Sequence, residues 1–557
     1  MARAVPTTGR ATLLAIFIAF GGELGFEDRL FLNCFLFGYD IGVISGCLIM
    51  PDFINRFGLP TGPGGSFVLD SSRQSIITSL LSAGTFVGAL AQAFTSDRFG
   101  RRGSILIWSA IFTIGVAIQT GTVRSIVQLT IGRFVAGLGV GALSVNIHSL
   151  EQSAIVPLYN GETAPKALRG TFLVLYQLQI IIGLFLSYVL DLATHSVKNS
   201  ASWRVPVGLQ LVWGLGLLSG IFFLPESPRH LLGNGKSEEA RRVVAELNGV
   251  PIDDALVTET VEELQFAINE ENAGGKATWA ECFSSRNAMW KRTGNGMMLQ
   301  FIQQLNGQNF YYYYGDTFFK SAGTNLSPYV IQTILGAVSV AGTIPALILI
   351  ETWGRRRSLL TGAVLQASCA LIAGLVGHYT LAPELRPPSL QAEINQEVCK
   401  TDHFDLASSQ ASGDTLIAFA VLHVTSFSIF WGPTPWVYLG ESFPLRVRPK
   451  SIALGSATNW FWNFLLGFFA PRIANDIGPL ILLIFFGMLV FGYGYVYFCI
   501  PETKGLSLEE VDEMYRSGVK PWHSTDWKPH LTDRFREKGR AQTQAEEIRD
   551  SNEKATA

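Results

Sequence analysis

The sequence predicts an all-α membrane protein with twelve transmembrane helices in two similar halves. Three observations predict it: little charge, about a dozen long apolar stretches, and three short motifs that occur twice. The chain has 557 residues, of which 48% are hydrophobic and 15% charged, and its mean hydropathy is +0.28. Soluble domains usually carry about 25% charged residues. The formal net charge of −2 gives no reason to expect a nucleic-acid partner.

Each predicted span rests on its length and its apolar composition. A helix needs roughly 20 mainly apolar residues to cross the hydrocarbon core of a lipid bilayer. The predicted spans are 30–50, 75–95, 104–123, 126–150, 171–191, 205–224, 295–319, 328–350, 358–380, 415–439, 452–476 and 478–500.

Basic residues in the loops predict the orientation of these spans. They cluster between spans two and three, eight and nine, and ten and eleven, and the polar segment 225–292 lies after span six. All of these fall on one side of the membrane together with both termini. Cytoplasmic loops carry an excess of Lys and Arg, so this side should be cytoplasmic, and we expect the plasma membrane as the location.

The polar segment divides the chain into parts. Its stretches 236–247 and 257–271 are charged and predict cytoplasmic linker helices. The charged, apolar-poor stretch 522–557 predicts disorder. The expected division is an N-terminal six-helix bundle at 1–224, a cytoplasmic helical linker at 225–293, a C-terminal six-helix bundle at 294–500 and a largely disordered cytoplasmic tail at 501–557.

Three motifs recur across the linker in the same order and at nearly the same spacing. Chance similarity would not preserve both order and spacing, so the repeat predicts two pseudo-symmetric bundles that flank a central pathway. DRFGRR at 97–102 matches ETWGRR at 351–356, YNGETAP at 159–165 matches YLGESFP at 438–444, and PES at 225–227 matches PET at 501–503.

The repeated motifs also predict ion pairs at the cytoplasmic ends of the helices. Ordinary basic loop residues would explain the arginines, but not an acidic residue at matching places in each half. We therefore expect Glu162 and Glu441 to pair with arginines of the motifs and to hold the halves together while the pathway opens outward. The predicted cytoplasmic latch comprises Asp97, Arg98, Arg101, Glu162, Arg169, Glu226, Arg229, Glu351, Arg355, Arg356, Glu441 and Glu502.

A run of amides interrupts the apolar seventh span. QQLNGQN at 303–309 is followed by Phe310 and by four tyrosines at 311–314. Amide side chains both donate and accept hydrogen bonds without carrying charge. Burying several of them in a membrane is costly unless they meet a polar partner. A neutral, hydroxyl-rich solute such as a sugar is a partner of this kind.

An ionisable pair lies within the apolar spans. Asp40 falls in the middle of span one and Arg133 in span four. An aspartate near an arginine ionises easily, whereas one that is desolvated away from it keeps its proton. Alternating exposure could therefore couple a proton to transport. Two alternatives remain open at this point: a static buried ion pair that only fixes helix packing, and transport by facilitated diffusion without a coupled proton.

Other chemistry finds little support in the sequence. The six cysteines at 34, 47, 282, 369, 399 and 499 show no paired metal-ligand spacing. No nucleophile–base constellation is apparent either, so we expect no catalytic residues, no metal and no cofactor.

Taken together and in order, these motifs resemble the sugar porters of the major facilitator superfamily, and among them fungal hexose transporters. The resemblance covers about 11–515. It implies the major facilitator fold and transport of a monosaccharide by alternating access. The residues that carry it are GYDIGVISG at 38–46, DRFGRR at 97–102, GRF at 132–134, PLYNGETAP at 157–165, RG at 169–170, PESPR at 225–229, QQLNGQN at 303–309, GRR at 354–356, PW at 435–436, NWFWN at 459–463 and PETKG at 501–505.

The resemblance also implies a set of substrate contacts. Amides from both halves would bind the sugar hydroxyls, and tryptophans would lie against the ring. Where the family often has asparagine in span eight, this chain has Ser339, whose hydroxyl reaches less far. The implied contacts are Gln177, Gln303, Gln304, Asn309, Trp436, Trp460 and Asn463, with Tyr313 and Tyr314 as outer gate.

The same resemblance bears on energy coupling. Proton symporters of the family carry aspartate at the position of Asp40, although fungal facilitators can carry it too. We therefore favour a proton-coupled hexose transporter, with a facilitated-diffusion uniporter as the alternative. A non-transporting sugar sensor is a third possibility. Such sensors tend to carry a long cytoplasmic extension, and the short stretch after Pro501 favours a transporter.

Two stretches depart from the family pattern. Residues 23–35 place several charges where the first span should be continuous, and 145–153 separate parts of the fourth span that usually adjoin. Charged side chains are hard to accommodate in lipid. We hypothesise that both stretches are extra segments from an imperfect gene model or unusual splicing, and genuine insertions tolerated near the helix ends are the alternative.

Overall fold

The architecture comes from a computed structural model of the whole chain. The residues described are 26–61, 66–150, 169–222, 225–226, 228–248, 250–273, 278–321, 326–380, 406–444, 447–506 and 508–528. Predicted features that fall wholly outside these ranges, among them Glu162, are not discussed structurally.

Long apolar helices make up the first half. Their order follows the predicted spans, with one helix covering spans two and three. The helices are α1 (Phe26–Cys47), α2 (Pro51–Phe57), α3 (Ser71–Thr120), α4 (Ile126–Leu150), α5 (Arg169–Thr194) and α6 (Ala201–Phe222), with strands β1 (Leu59–Thr61) and β2 (Ser66–Val68) before α3.

Three linker helices and a second set of apolar helices follow. Spans seven and ten are both broken, the latter by a π-helix at Phe427–Trp431. The helices are α7 (Pro228–Gly233), α8 (Ser237–Asn248), α9 (Ala255–Ala273), α10 (Met289–Gln304), α11 (Gln308–Ser321), α12 (Pro328–Trp353), α13 (Arg355–Thr380), α14 (Leu406–Ser426), α15 (Thr434–Glu441), α16 (Arg448–Ile477), α17 (Ile481–Cys499) and α18 (Leu508–Ser517), and 3-10 turns occupy Trp279–Phe283, Arg286–Ala288, Gly478–Leu480 and Pro521–Asp526.

By length and composition, eight helical stretches among the described residues could cross a membrane. A ninth is added if the bent pair Phe35–Cys47 and Pro51–Phe57 counts as one span. One of the eight, Lys450–Cys499, is 50 residues long and contains both α16 and α17. The described residues of the twelve predicted spans fall largely on helices, and the predicted membrane fold is confirmed.

The two halves meet through equivalent helices. Within the first half α1 packs on α5, and α3 packs on α4 and α6. Across the interface α3 packs on α16, and α5 packs on α12. Spans two and eleven thus meet on one side of the molecule, and spans eight and five on the other. The repeat relates spans that are six apart, so span eight is the counterpart of span two and span five is the counterpart of span eleven. The two interface pairs are therefore equivalent, as two pseudo-symmetric bundles require.

The repeat is visible at the level of single residues. Gly100 (φ 77°) and Gly354 (φ 93°) occupy matching kinks after spans two and eight, in a backbone region that favours glycine. A Cβ on Gly100 would lie 2.6 Å from a Glu226 carboxylate oxygen, and one on Gly354 would lie 2.4 Å from a Glu502 oxygen. Each glutamate thus occupies the same place in its own half. We call the end of the bundles that carries these residues and the linker the linker face, and the opposite end the outer face.

Two features of the connecting segments differ from expectation. An antiparallel β1–β2 hairpin, which was not predicted from the sequence, lies in the first outer loop. The beginning of the predicted disordered stretch is ordered at Pro521–Asp526. It is held because Trp522 packs edge-on against Phe498 at 6.0 Å, and Ser524 Oγ accepts a hydrogen bond from the Glu502 amide at 2.8 Å. Residues 529–557 lie outside the described chain.

The two unusual stretches are partly described. Residues 26–35 form the first turns of α1, and Phe35 packs edge-on against Trp213 of α6 at 5.3 Å. Residues 145–150 continue α4. Both described portions therefore extend neighbouring helices, while 23–25 and 151–153 lie outside the described residues.

Candidate functional site

A cavity of about 610 Å³, counting the space open to solvent, lies between the two bundles. The first bundle contributes side chains from α1 and α5, and the second contributes side chains from α10, α11, α15 and α16. Every residue predicted to contact substrate lines it, namely Gln177, Gln303, Gln304, Asn309, Trp436, Trp460 and Asn463.

Gln304 is the centre of an amide cluster on one wall. Its Oε1 accepts a hydrogen bond from Asn463 Nδ2 at 2.9 Å and another from Asn309 Nδ2. These bonds fix the orientation of the amide. Its Nε2 makes no hydrogen bond to the described residues and is therefore an available donor. Gln177 on the opposite bundle likewise makes no hydrogen bond to the described part of the chain, although it is 93% buried.

The neighbouring Gln303 is engaged differently. Its Nε2 donates to the carbonyl oxygens of Trp431 at 2.9 Å and Gly432 at 2.8 Å. A π-helix leaves carbonyl groups without their usual α-helical partners, and this amide satisfies two of them. Gln303 Oε1 accepts from Asn459 Nδ2 at 2.9 Å. The amide expected to bind hydroxyls therefore braces the break in span ten.

Asn459 is a cavity residue that the sequence reasoning did not select. Its Nδ2 also donates to Gln300 Oε1 at 2.7 Å, so it joins α16 to α10. Its position directly before Trp460 in a family motif was the available signal. Ser339 does not line the cavity in this structure. Its hydroxyl lies 3.3 Å from that of Tyr312, which does.

The two tryptophans contribute apolar surface beside these amides. Trp460 packs edge-on against Phe37 of the first bundle, with ring centroids 4.8 Å apart. Trp436 is 9% exposed and lies at the start of α15, next to the broken part of span ten. Flat apolar rings beside fixed amides suit a ligand that has both hydroxyls and a C–H face.

The tyrosines predicted as a gate make hydrogen bonds toward the outer face. Tyr313 Oη donates to Asn463 Oδ1 at 3.0 Å, and Ser82 Oγ of the first bundle donates to the same oxygen at 2.6 Å. Tyr314 Oη donates to the Gly467 carbonyl at 2.6 Å within the second bundle. Tyr188 Oη of the first bundle donates to the Tyr312 carbonyl at 3.2 Å. The bundles are therefore joined at the outer face.

Asp40 and Arg133 are buried side by side. Arg133 Nη1 lies 3.8 Å from Asp40 Oδ1, and Gln210 Nε2 donates to the same oxygen at 3.0 Å. Asp40 Oδ2 and the Arg133 Nε and Nη2 atoms have no hydrogen-bond partner among the described residues. The pair is therefore loose and incompletely satisfied. It lies beside the cavity, because Phe37 and Ile41 of the same helix line the cavity wall.

The latch residues of the second half pair with one another. Arg355 Nη2 lies 2.6 Å from Glu441 Oε1 and 3.1 Å from Glu351 Oε1. Glu502 accepts hydrogen bonds from the backbone amides of Arg355 at 2.8 Å and Arg356 at 3.1 Å. Glu441 therefore pairs with an arginine inside its own bundle, and among the described residues no ion pair joins it to the first bundle.

Arg356 does not pair with Glu441 as expected. Its Nη2 donates to the Tyr497 carbonyl at 2.9 Å, and its guanidinium lies 5.1 Å from the Tyr497 ring. It thereby attaches α13 to α17. This differs from the prediction because α13 turns Arg355 and Arg356 toward different neighbouring helices.

The latch residues of the first half are only partly described. The Glu226 carboxylate accepts from the Arg102 backbone amide at 3.3 Å, as its counterpart Glu502 does in the second half. Arg98 lies exposed, with its guanidinium 5.6 Å from the Phe99 ring. Glu162 and the side chains of Asp97, Arg101, Arg169 and Arg229 lie outside the described part of the chain.

Comparison with known proteins agrees with this architecture. A model of the family described as sugar (and other) transporter matches residues 30–515. The chain belongs to this family. The transporter is 39% identical to a low-affinity glucose transporter of Kluyveromyces lactis, over 93% of this chain and 84% of the relative. It is 37% identical to a high-affinity hexose transporter of Saccharomyces cerevisiae, again over 93% of this chain and 84% of the relative.

Solved structures support the fold of the transporter. It matches the inward-open xylose transporter XylE from E. coli with a TM-score of 0.65 at 23% identity, covering 87% of this chain and 98% of XylE. XylE is a proton:xylose symporter of the major facilitator superfamily. The predicted sugar-porter family and major facilitator fold are confirmed, and the family assignment makes the chain a transporter rather than an enzyme.

Proposed function

We propose that the protein carries a monosaccharide, glucose or a related hexose, across the plasma membrane by alternating access. The observation that supports this most is the convergence of Gln177 and Gln304, from different bundles, on one cavity. Both amides are nearly buried, and Gln304 is held in place by Asn309 and Asn463. Each lines the cavity with a hydrogen-bonding group that has no partner among the described residues, which suits a neutral ligand rich in hydroxyls.

The substrate class also follows from the relatives. Those reported above are named as glucose and hexose transporters and share more than a third of their residues with this chain over most of its length. The linker face would be cytoplasmic, in keeping with the basic loops at that face. Closure by Tyr313 and Ser82 would then lie on the extracellular side, with the cavity sealed against the outside.

Asp40 is the group proposed to couple a proton to sugar movement. It has one oxygen without a partner and a contact of 3.8 Å to Arg133, which is longer than a charge-assisted hydrogen bond. A small movement of α1 against α4 would separate the charges and favour protonation of the carboxylate. Because Phe37 and Ile41 on the same helix line the cavity, sugar binding can drive this movement.

Uptake in a host that lacks its own hexose transporters tests transport itself. Labelled glucose should enter cells that express the chain, and unlabelled hexoses should compete with it. Binding or signalling without uptake would support the sensor and contradict the proposal.

Coupling is tested in the same cells. Uptake should increase as the external pH falls, should concentrate sugar inside, and should stop concentrating it when an uncoupler is added. If uptake is unaffected by external pH and by the uncoupler, and the internal sugar concentration never exceeds the external one, the protein is a uniporter. Asp40 would then not have the proposed coupling role.

A further inference from the structure

A second pair of acids is buried between the bundles near the outer face, apart from the residues that line the sugar cavity. Asp191 of α5 and Asp316 of α11 are each 1% exposed. Ser45 Oγ donates to Asp316 Oδ2 at 2.9 Å. Asp191 points at the next residue of α1, because a Cβ on Gly46 would lie 2.4 Å from Asp191 Oδ2. The two carboxylates, one from each bundle, therefore border the same turn of α1.

This cluster has too few hydrogen-bond donors. Both oxygens of Asp191, Oδ1 of Asp316 and Oε1 of Gln332 have no partner among the described residues. Gln332 uses its Nε2 for the Tyr311 carbonyl at 2.9 Å and for Ser45 Oγ at 3.4 Å. No described basic side chain forms an ion pair with either aspartate. A buried carboxylate without a partner is very costly, whereas a protonated carboxyl supplies the missing donor.

The surrounding titratable groups offer no spare positive charge. Arg133 lies within electrostatic reach of the neighbouring Cys47, but it faces Asp40 at 3.8 Å. The other neighbours are phenols, a thiol and an outer histidine that stacks on one of the phenols at 4.4 Å. They are Tyr39 and Cys47 of α1, Tyr188 and His195 at the end of α5, Tyr312 and Tyr313 of α11, and Tyr329 of α12.

We infer that Asp191 and Asp316 form a proton-binding site that keeps the outer face closed and is distinct from Asp40. The inference rests on the proposed orientation and on alternating access. When the bundles part at the outer face, the two carboxylates separate, become hydrated and release their protons to the external solution. Reclosing would bring two desolvated negative charges together, so it requires the protons to return. The protons come from outside and go back outside, so they are bound without being carried.

Linkage gives the size of the effect. If the closed state holds one more proton than the open state, the ratio of open to closed molecules rises by up to about tenfold per pH unit. With both carboxyls involved the dependence becomes steeper. External acid should favour closure, and external alkali should favour opening.

Cys47 provides a reporter for this movement. It is completely buried, and it follows Gly46 on α1. With the other five cysteines replaced by serine, a membrane-impermeant maleimide applied to intact cells should label Cys47 only when the outer face opens. The labelling rate is divided by that of the Asp191→Asn/Asp316→Asn variant at the same pH, because the division cancels the ordinary ionisation of the thiol.

This ratio should rise with external pH by up to about tenfold per unit for one proton. Either single asparagine variant should show a weaker rise, because one titrating carboxyl remains. Asp476→Asn is the matched control, since Asp476 is an exposed acid near the end of α16. In this variant, Cys47 labelling should rise with external pH as steeply as in the parent. If the double variant does not reach the membrane, each single variant is compared with this control. The inference would be overturned if the labelling rate of Cys47 depended on external pH as steeply in both single variants as in Asp476→Asn.

Counterflow of labelled sugar at equal internal and external pH gives a second readout that does not involve the thiol. The parent should depend on pH, and the double variant should depend on it less. If external sodium at constant pH suppresses labelling as acid does, the site binds sodium and the proton assignment is wrong. Sugar uptake by the parent is measured in parallel. If the ratio of Cys47 labelling rates depends on pH but sugar is not taken up, only the proposed function is contradicted. If sugar is taken up but the ratio does not change with pH, only the proton-binding site is contradicted.

Discussion

Adjacent amides in span seven have different roles. Gln303 uses both of its polar ends on the protein, toward span ten and toward Asn459. Gln304 uses only its oxygen, and its Nε2 has no hydrogen-bond partner among the described residues. The helix places consecutive side chains about 100° apart, so the two amides meet different neighbouring groups although both line the cavity. Mutations of these two adjacent glutamines should therefore have different effects.

Gln304→Ala should raise the KM for sugar about tenfold, with the protein level unchanged. The change removes one hydrogen bond to the ligand, worth about 0.5–1.5 kcal/mol, and frees Asn309 and Asn463 from their fixed positions. Concentration-dependent uptake measures this. Gln128→Ala is the control, because Gln128 is exposed near the start of α4. An unchanged KM would remove Gln304 from the binding site.

Asp40→Asn should abolish concentrative uptake while it preserves exchange. An amide cannot take up and release the proton, but it can still accept the hydrogen bond from Gln210. Uptake should become insensitive to external pH and to uncoupler, and counterflow of labelled sugar should continue. Loss of counterflow together with coupling would mean that Asp40 maintains the structure and does not carry the proton.

At the scale of elements, spans seven and ten are both interrupted beside the cavity. Span seven breaks between α10 and α11, where Gly307 has φ 97°. Span ten breaks at the π-helix Phe427–Trp431. Each break frees backbone groups in a part of the membrane that lacks water, which is tolerated only where other groups satisfy them. Gln303 meets this need for Trp431 and Gly432 and thereby joins the two broken spans.

Gln303→Leu should therefore lower stability as well as transport. Two carbonyls and the Asn459 amide lose a partner, at a cost of about 1–3 kcal/mol. The melting temperature of the purified protein, compared with that of Gln128→Leu, measures the first effect. If the variant melts like the parent and only its KM changes, Gln303 contacts sugar directly and is not a brace.

The breaks mark the limit of what apolar composition predicts. The number, order and approximate bounds of the spans follow from length and hydropathy, because the bilayer imposes them. The π-helix does not, since Phe427–Trp431 is as apolar as its neighbours. The hairpin β1–β2 and the ordered turn at Pro521–Asp526 depend on tertiary contacts such as that of Trp522 with Phe498, which no local pattern reveals.

At the scale of the whole molecule, the repeat predicted the bundles but not every contact between them. It identified Glu441 and Arg355 as partners, and they lie 2.6 Å apart. It placed the pair across the interface, whereas it lies within one bundle. A repeat gives matching positions in the two halves, but which neighbour a charged side chain meets depends on helix packing and on the state of the transporter. Among the described residues, the side-chain hydrogen bonds that join the bundles, such as Ser82 to Asn463 and Tyr188 to Tyr312, are not ion pairs and lie toward the outer face.

The last prediction concerns the hydrogen bonds that hold the outer face closed. Tyr313 and Ser82 donate to one oxygen of Asn463 from different bundles. Ser82→Ala removes a hydrogen bond that crosses the interface. Each such bond is worth about 0.5–1.5 kcal/mol, so its loss should increase outer opening by roughly 2- to 10-fold. The rate of Cys47 labelling from outside measures this increase.

Tyr313→Phe tests whether the two bonds act together. Because they share an acceptor, its effect should depend on whether Ser82 is present, which a double-mutant cycle shows as a coupling energy different from zero. Tyr314→Phe is the matched control, since it removes a tyrosine hydrogen bond that stays inside the second bundle. If Tyr314→Phe opens the outer face as much as Ser82→Ala does, closure depends on the packing of the second bundle itself. Another contact would then have to hold the outer face closed, and the proposed proton-binding acids Asp191 and Asp316 are the candidates.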